Sequence, residues 1–265
     1  MIERISPSSI LSFCSNYKEW HKQYILKEPV NNIYMAVGKA VHGILEGFFL
    51  EPPKFAQIRD FASDRFNLLW KQEVLNNGEL QAFLSDLDAP IKQSDLMAWL
   101  YKYIATWVDE TERLERTKGT DYAFRLNSPK WVEYQIYDEE LKVKGIIDAV
   151  IASDRFNKKS KHATFMLVDY KTSSKIRNTL PTGYYIQLMI YALLFHRDKK
   201  KIDWVAVDYL KYNQKYFFRV TDEALKKTED LITSVWSEME ILNEKLKNGE
   251  GILDYKPRTE LGKFI

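Results

Sequence analysis

The sequence predicts an α/β (α+β) fold, a mixed central β-sheet flanked by helices, with a mostly helical N-terminal half. Two textures and one order carry that prediction. Apolar residues recur at helical spacing up to Lys118-Gly119, and beyond that point short β-branched and aromatic segments alternate with polar turns. The elements then read βββαββα, an order that implies a mixed sheet with helices packed on it.

The opening stretch from Pro7 to about Leu26 starts with serines and a proline suited to a helix N-terminus, then spaces Ile10, Phe13, Tyr17 and Trp20 at helical intervals. Further helices are expected over Met35–Leu50, from Phe55 to about Val74, and from Leu96 to about Leu114. Strands follow at Trp131–Ile136, Leu141–Ile151 and Thr164–Tyr170, then a helix over Tyr184–Phe195. A hairpin of Trp204–Tyr212 and Tyr216–Val220 precedes a long closing helix from Asp222 to about Leu246. The lysine-rich pieces Arg155–His162 and Arg197–Lys201 read as solvated turns, with phosphate contact as the functional alternative. The tail Lys256–Ile265 shows no clear periodicity and reads as an ordered arm or a loose end. One domain over 1–265 is expected, divided into a helical part (1–120), the sheet and its helix (121–220), and the closing helix and tail (221–265).

Composition narrows the chemistry. With 265 residues, 45% of them hydrophobic, the chain can bury a full core. No fully apolar run approaches the ~20 residues of a membrane span, and the N-terminus lacks the apolar core of a signal peptide. A soluble, cytoplasmic or otherwise intracellular protein with no membrane partner is expected. The single cysteine, Cys14, excludes an intramolecular disulfide or a multi-cysteine metal site built from this chain, so a metal must be held by oxygen and nitrogen. A net charge of +2 does not announce a nucleic-acid binder; that reading has to come from local sites.

The strand FMLVDYKTSS places Asp169 and Lys171 two residues apart, hence on one face, with Tyr170 on the other. Taken alone this is as compatible with a strand-end ion pair as with catalysis. The preceding strand KVKGIIDAVI buries a second carboxylate, Asp148, among apolar residues. Two acids on adjacent strands suit a hard divalent cation, Mg2+ or Mn2+, and the Tyr170 carbonyl is a further oxygen donor between them. Lys171 then stands where it orients or deprotonates an attacking water, or stabilises phosphoryl charge. On the helices, Gly38 and His42 share a face, the glycine allowing close backbone approach and the imidazole offering a metal ligand or phosphate contact. Gln187 and Tyr191 likewise sit at i and i+4, although polar groups on such a face also occur as plain core polarity.

Together these residues resemble the PD-(D/E)XK nuclease superfamily, in particular the branch containing the RecB nuclease domain, the CRISPR-associated adaptation nucleases and the mitochondrial genome maintenance exonuclease. Four motifs stand in the family's order: Gly38 to His42 as GxxxH, Gly145 to Asp148 as the first acid, Asp169-Tyr170-Lys171 as the D-x-K strand, and Gln187 to Tyr191 as QxxxY. The resemblance implies a restriction-endonuclease-like fold and metal-dependent phosphodiester hydrolysis. It implies metal binding by His42, Asp148, Asp169 and the Tyr170 carbonyl, and assistance to the water from Lys171. Gln187 and Tyr191, with Gly38 and Thr172 alongside, would position the DNA backbone or the lysine. Glu133 resembles an acid on the strand before Asp148 and is equally readable as an exposed strand acid. Relatives with an iron-sulfur cluster carry four cysteines; here Asn16 takes the place of the first, so the resemblance is to cluster-free members.

The leading expectation is a DNA exonuclease acting on single strands or free ends in repair, recombination or replication. A non-cutting DNA-binding module and a structure-specific endonuclease are the alternatives.

Overall fold

The computed structural model describes residues 2–28, 32–51, 57–86, 88–153, 164–173, 176, 180–251 and 255–264. Five strands form one sheet in the order β1-β2-β3-β4-β5: β1 (Pro129–Asp138), β2 (Val143–Ala152), β3 (Phe165–Lys171), β4 (Ile202–Tyr209) and β5 (Gln214–Arg219). Neighbours are antiparallel except β3 and β4, which run parallel and are joined across the helix Thr182–Arg197. The sheet is therefore mixed, as the element order predicts.

Each face of the sheet carries its own apolar layer. On one side α1 (Pro7–Ser15), α2 (Tyr17–Trp20) and the long helices Thr182–Arg197 and Asp222–Lys247 pack on Val143, Ile147, Leu167, Val205 and Val207. On the other, α3 (Ile33–Leu50), α4 (Ile58–Trp70), α5 (Gly78–Ser85) and α6 (Gln93–Lys118) cover Ala149, Met166, Val168 and Ala206. Alternation along each strand sends successive residues to opposite layers, so the near-continuous apolar character of β3 reflects burial on both faces. The chain then adds α7 (Thr120–Asn127), α8 (Thr182–Arg197) and α9 (Asp222–Lys247).

Several sequence expectations change. The first helix does not run unbroken to Leu26: Asn16 leaves the helical region at φ −148°, and its side chain caps α2 by accepting from the Glu19 amide. A π-helical turn over His21–Ile25 follows. Helices α5 and α7 are additional, being too short to show a period, and α7 delays the sheet from 121 to Pro129. Gly119, at φ +88°, makes the break between α6 and α7 that the change of texture marks. Helix α4 begins at Ile58; Phe55 and the stretch Arg155–His162 lie outside the described residues. Arg197 is no solvated turn residue, since it joins Asp138 of β1, Glu140 of the turn after it and Glu229 of the helix Asp222–Lys247.

Helix α3 is, by length and composition, apolar enough to cross a membrane. Val37, Val41, Ile44, Leu45 and Phe48 are buried in the second layer, while Tyr34, Met35 and Leu50 are exposed.

The tail is an ordered arm. Glu238 of α9, almost fully buried, accepts from the amides of Arg258 (2.8 Å) and Thr259 (2.7 Å) and from the hydroxyls of Thr259 and Tyr255. The Tyr255 ring also packs edge-on against Tyr17 at 5.2 Å, tying the arm to the opening helices. Burial opposes ionisation of Glu238, but these four donors prevail and hold its carboxyl below the ordinary glutamate range. A lowered folded pKa contributes stability that is present above the unfolded value and is lost as pH falls through the folded one. Glu238→Ala is accordingly expected to cost about 2–4 kcal/mol at neutral pH and proportionately less in acid below the ordinary glutamate range. Urea titrations of both proteins at neutral and acidic pH check this; a cost unchanged on acidification contradicts it.

Candidate active site

The site forms where β2 and β3 part. Their ladder runs from Ala152↔Phe165 to Ala149↔Val168, and Asp148 and Asp169 are the next residues along it. Asp148 turns one oxygen to the Tyr170 backbone, accepting its amide at 2.6 Å, and the other to His42 Nδ1 at 3.5 Å. His42 comes from the middle of α3, whose buried side fixes the height of the imidazole above the strand ends. Glu133 of β1 completes the group, with Oε1 3.7 Å from His42 Nδ1. Donor atoms of His42, Glu133 and Asp148 all lie within 4.8 Å of one another.

Glu133, the weakest of the sequence candidates, thus reaches the heart of the cluster. It lies between the pairs Val132↔Ala149 and Tyr134↔Ile147, directly across from Asp148, and adopts φ +46°. A non-glycine residue in the left-handed region costs about 1–3 kcal/mol, and such strain collects at functional sites. The sequence holds no signal for this backbone.

Asp169 faces its own partner. Its Oδ2 is 2.6 Å from Lys171 Nζ, an ion contact at the buried end of β3, yet the same buried oxygen makes no aligned hydrogen bond among the described residues. Burial raises the Asp169 carboxyl to about 6, Lys171 opposing the rise and Asp148 adding to it. For Lys171 burial works against the charge, but Asp169 and Asp148 outweigh it, so its pKa is raised and the pair is ionised at neutral pH. His42 follows the same logic: desolvation disfavours the imidazolium, and the neighbouring carboxylates of Asp148 and Glu133 override it, pushing it up to about 10.

This donor set fits a hard divalent cation. Two carboxylates and an imidazole converge at metal-ligand spacing, and a third carboxylate, Asp169, lies on the next strand in contact with Lys171. A cation entering this group would displace the proton of the His42 imidazolium, since a ligating imidazole must be neutral.

The lysine leads on to α8. Lys171 Nζ donates to Gln187 Oε1 at 3.3 Å, and Gln187 Nε2 donates to Tyr191 Oη at 3.2 Å, so the pair that shares a helix face by its spacing connects to the lysine, one of the two roles that the resemblance implies. The Lys171 ammonium also lies over the Tyr184 ring, 4.5 Å from its centre. At Gly145 a β-carbon would sit 2.6 Å from Tyr191 Cε1, so the absence of a side chain lets the ring approach β2 this closely. The close approach expected at Gly38 is not found: a β-carbon there would meet only Thr172 Oγ1, at an ordinary 3.9 Å.

One buried acid escapes the sequence reading. Asp208, in the strand IDWVAVDY, is fully buried, accepts from Tyr103 Oη at 2.7 Å and pairs with Lys215 Nζ at 3.0 Å. It neighbours Tyr170 across the parallel ladder, and the Tyr170 ring packs edge-on to both Tyr103 and His42 at 6.3 Å. The signal that marks Asp148, an acid inside an apolar strand, marks Asp208 as well.

Cys14, half-buried in α1, is pushed up to about 12 by burial and the nearby Glu238, so it stays a neutral thiol. Comparison with curated proteins returns no match. Residues 4–257, nearly the whole chain and with it every residue of the site, match the family model of the PD-(D/E)XK nuclease superfamily, and the chain belongs to that superfamily.

Proposed function

We propose that this nuclease is a Mg2+- or Mn2+-dependent deoxyribonuclease of the RecB-like, cluster-free branch, working as an exonuclease on single strands or free ends in repair, recombination or replication. The observation that carries the reading is the meeting of His42, Glu133 and Asp148 with the Asp169–Lys171 pair at the point where β2 and β3 separate. His42, Glu133, Asp148 and Asp169, with the Tyr170 carbonyl, hold the cation. When bound, it supplies Lewis acidity and lowers the pKa of water at the site.

The chain's own groups do the rest. The Lys171 ammonium contacts Asp169, donates to Gln187 Oε1 and lies over the Tyr184 ring, so a water or a phosphoryl oxygen would meet the part of its N–H fork that these leave. Gln187, itself braced by Tyr191, keeps the ammonium aimed as negative charge grows on the phosphoryl group. Gly38 and Thr172 line the approach to it.

A closed circular single strand and its linearised form, incubated with Mg2+ or Mn2+, test the exonuclease assignment. Linear DNA is expected to be shortened from its ends while the circle persists. Nicking of the circle at a comparable rate overturns the assignment in favour of an endonuclease.

A further inference from the structure

A second cavity opens beside the lysine relay. It has a volume of about 580 Å³ and lies between the start of α1, the ends of β1 and β2, and Tyr191. That is within the roughly 300–1,000 Å³ of ligand-binding pockets. Its walls are Pro7, Ile136, Tyr137 and Ile146, largely apolar or aromatic, and its rim carries Arg4 and Lys144. Two features set it apart from an ordinary surface dent. Ile146 is 48% exposed on a strand whose alternate residues are buried, an apolar side chain half open to solvent. The Arg4 guanidinium sits over the Tyr137 ring, 4.8 Å from its centre, which presents a flat cationic surface at the rim.

The cavity is joined to the candidate active site through its floor. Tyr191 lines it and, through Gln187, reaches Lys171. Gly145 belongs to both as well, since its missing side chain allows the Tyr191 ring to approach β2 closely. The opening is thus linked to Lys171 through two side chains, Gln187 and Tyr191.

We infer that the cavity is a nucleobase subsite: it takes one unpaired base of the strand next to the cleaved phosphate, stacked on Arg4 and walled by Ile146 and Pro7, with Lys144 meeting the backbone. The chemistry matches on each count. A base offers a flat apolar face to the walls and its π-face to the guanidinium, while polar edges can meet Ser6, Ser8 and Gln135. A base within a duplex is stacked and paired and cannot enter, so the subsite makes the chain prefer single-stranded DNA at this position. This inference rests on the nuclease reading above.

The test compares binding, by fluorescence anisotropy and without divalent metal, of a labelled single-stranded oligonucleotide and of the same backbone made of abasic nucleotides. The wild-type chain is expected to prefer the base-bearing strand by about tenfold. Arg4→Lys, which keeps the charge and loses the plane, and Ile146→Asn, at an exposed position, are expected to remove most of that preference while leaving abasic binding and the melting temperature unchanged. Equal binding of the two strands by the wild type, or a preference intact in both variants, overturns the subsite alone. A folded wild-type chain that binds neither strand and cuts neither with added metal overturns the nuclease reading and the subsite with it.

Discussion

Lys171→Met is expected to lower DNA cleavage by roughly a hundred- to a thousandfold and to destabilise the fold by about 3–5 kcal/mol. The two losses have one origin. Asp169 is buried, with 5% of its side chain exposed, and Lys171 is its only charge-neutralising contact at 2.6 Å among the described residues. Removing the ammonium strands a carboxylate in the sheet and also removes the donor aimed at the substrate. Asp169→Asn is expected to abolish cleavage as well, because the cation loses a ligand, and to leave the lysine unpaired. The double variant Asp169→Asn, Lys171→Met removes both charges and is expected to recover most of the stability and none of the activity. Denaturant unfolding of the three proteins beside a cleavage assay reads both quantities. A single Lys171→Met variant as stable as the wild type contradicts the buried pair.

Glu133→Gly is expected to act in the opposite sense on stability. The left-handed backbone at φ +46° is strained for glutamate and comfortable for glycine. The substitution also removes a carboxylate that favours the His42 imidazolium, which offsets part of that gain at neutral pH. The extra freedom of glycine in the unfolded chain, about 0.5–1 kcal/mol, offsets a further part. The metal-free protein is therefore expected to be as stable as the wild type or more so, while affinity for Mn2+ falls by about tenfold or more for want of a charged ligand. Glu133→Gln separates the causes, since it loses the charge and keeps the strain. Melting curves with and without Mn2+ show the difference as a smaller metal-induced shift. An unchanged shift in both variants makes Glu133 an exposed strand acid with no part in the site.

The elements that position the site were legible because each carries a local signal. Acids interrupting apolar strands marked Asp148 and Asp169, two-residue spacing put Lys171 on the face of Asp169, and i, i+4 spacing paired Gln187 with Tyr191. Each signal belongs to a single element, and period alone reveals it. What escaped reading depends on contacts between elements distant in sequence. The break at Asn16 is a capping choice that the continuing apolar spacing conceals. The arm at 255–264 has no period because Glu238, on another element, orders it through hydrogen bonds. Glu133 could be placed beside Asp148 only once the register of β1 on β2 was known, and its left-handed backbone has no trace in residue type. The cavity at Arg4 is likewise assembled from three parts of the chain.

The most direct measurement is the release of labelled nucleotides from end-labelled single-stranded DNA by the purified chain, with Mg2+, with Mn2+ and with chelator alone. The account predicts release with either metal, none with chelator, and none from Asp148→Asn or Asp169→Asn proteins that remain folded. A folded wild-type chain that leaves the DNA intact in both metals, or an Asp148→Asn protein that cuts as fast as the wild type, contradicts the assignment of a metal-dependent nuclease centre to these residues.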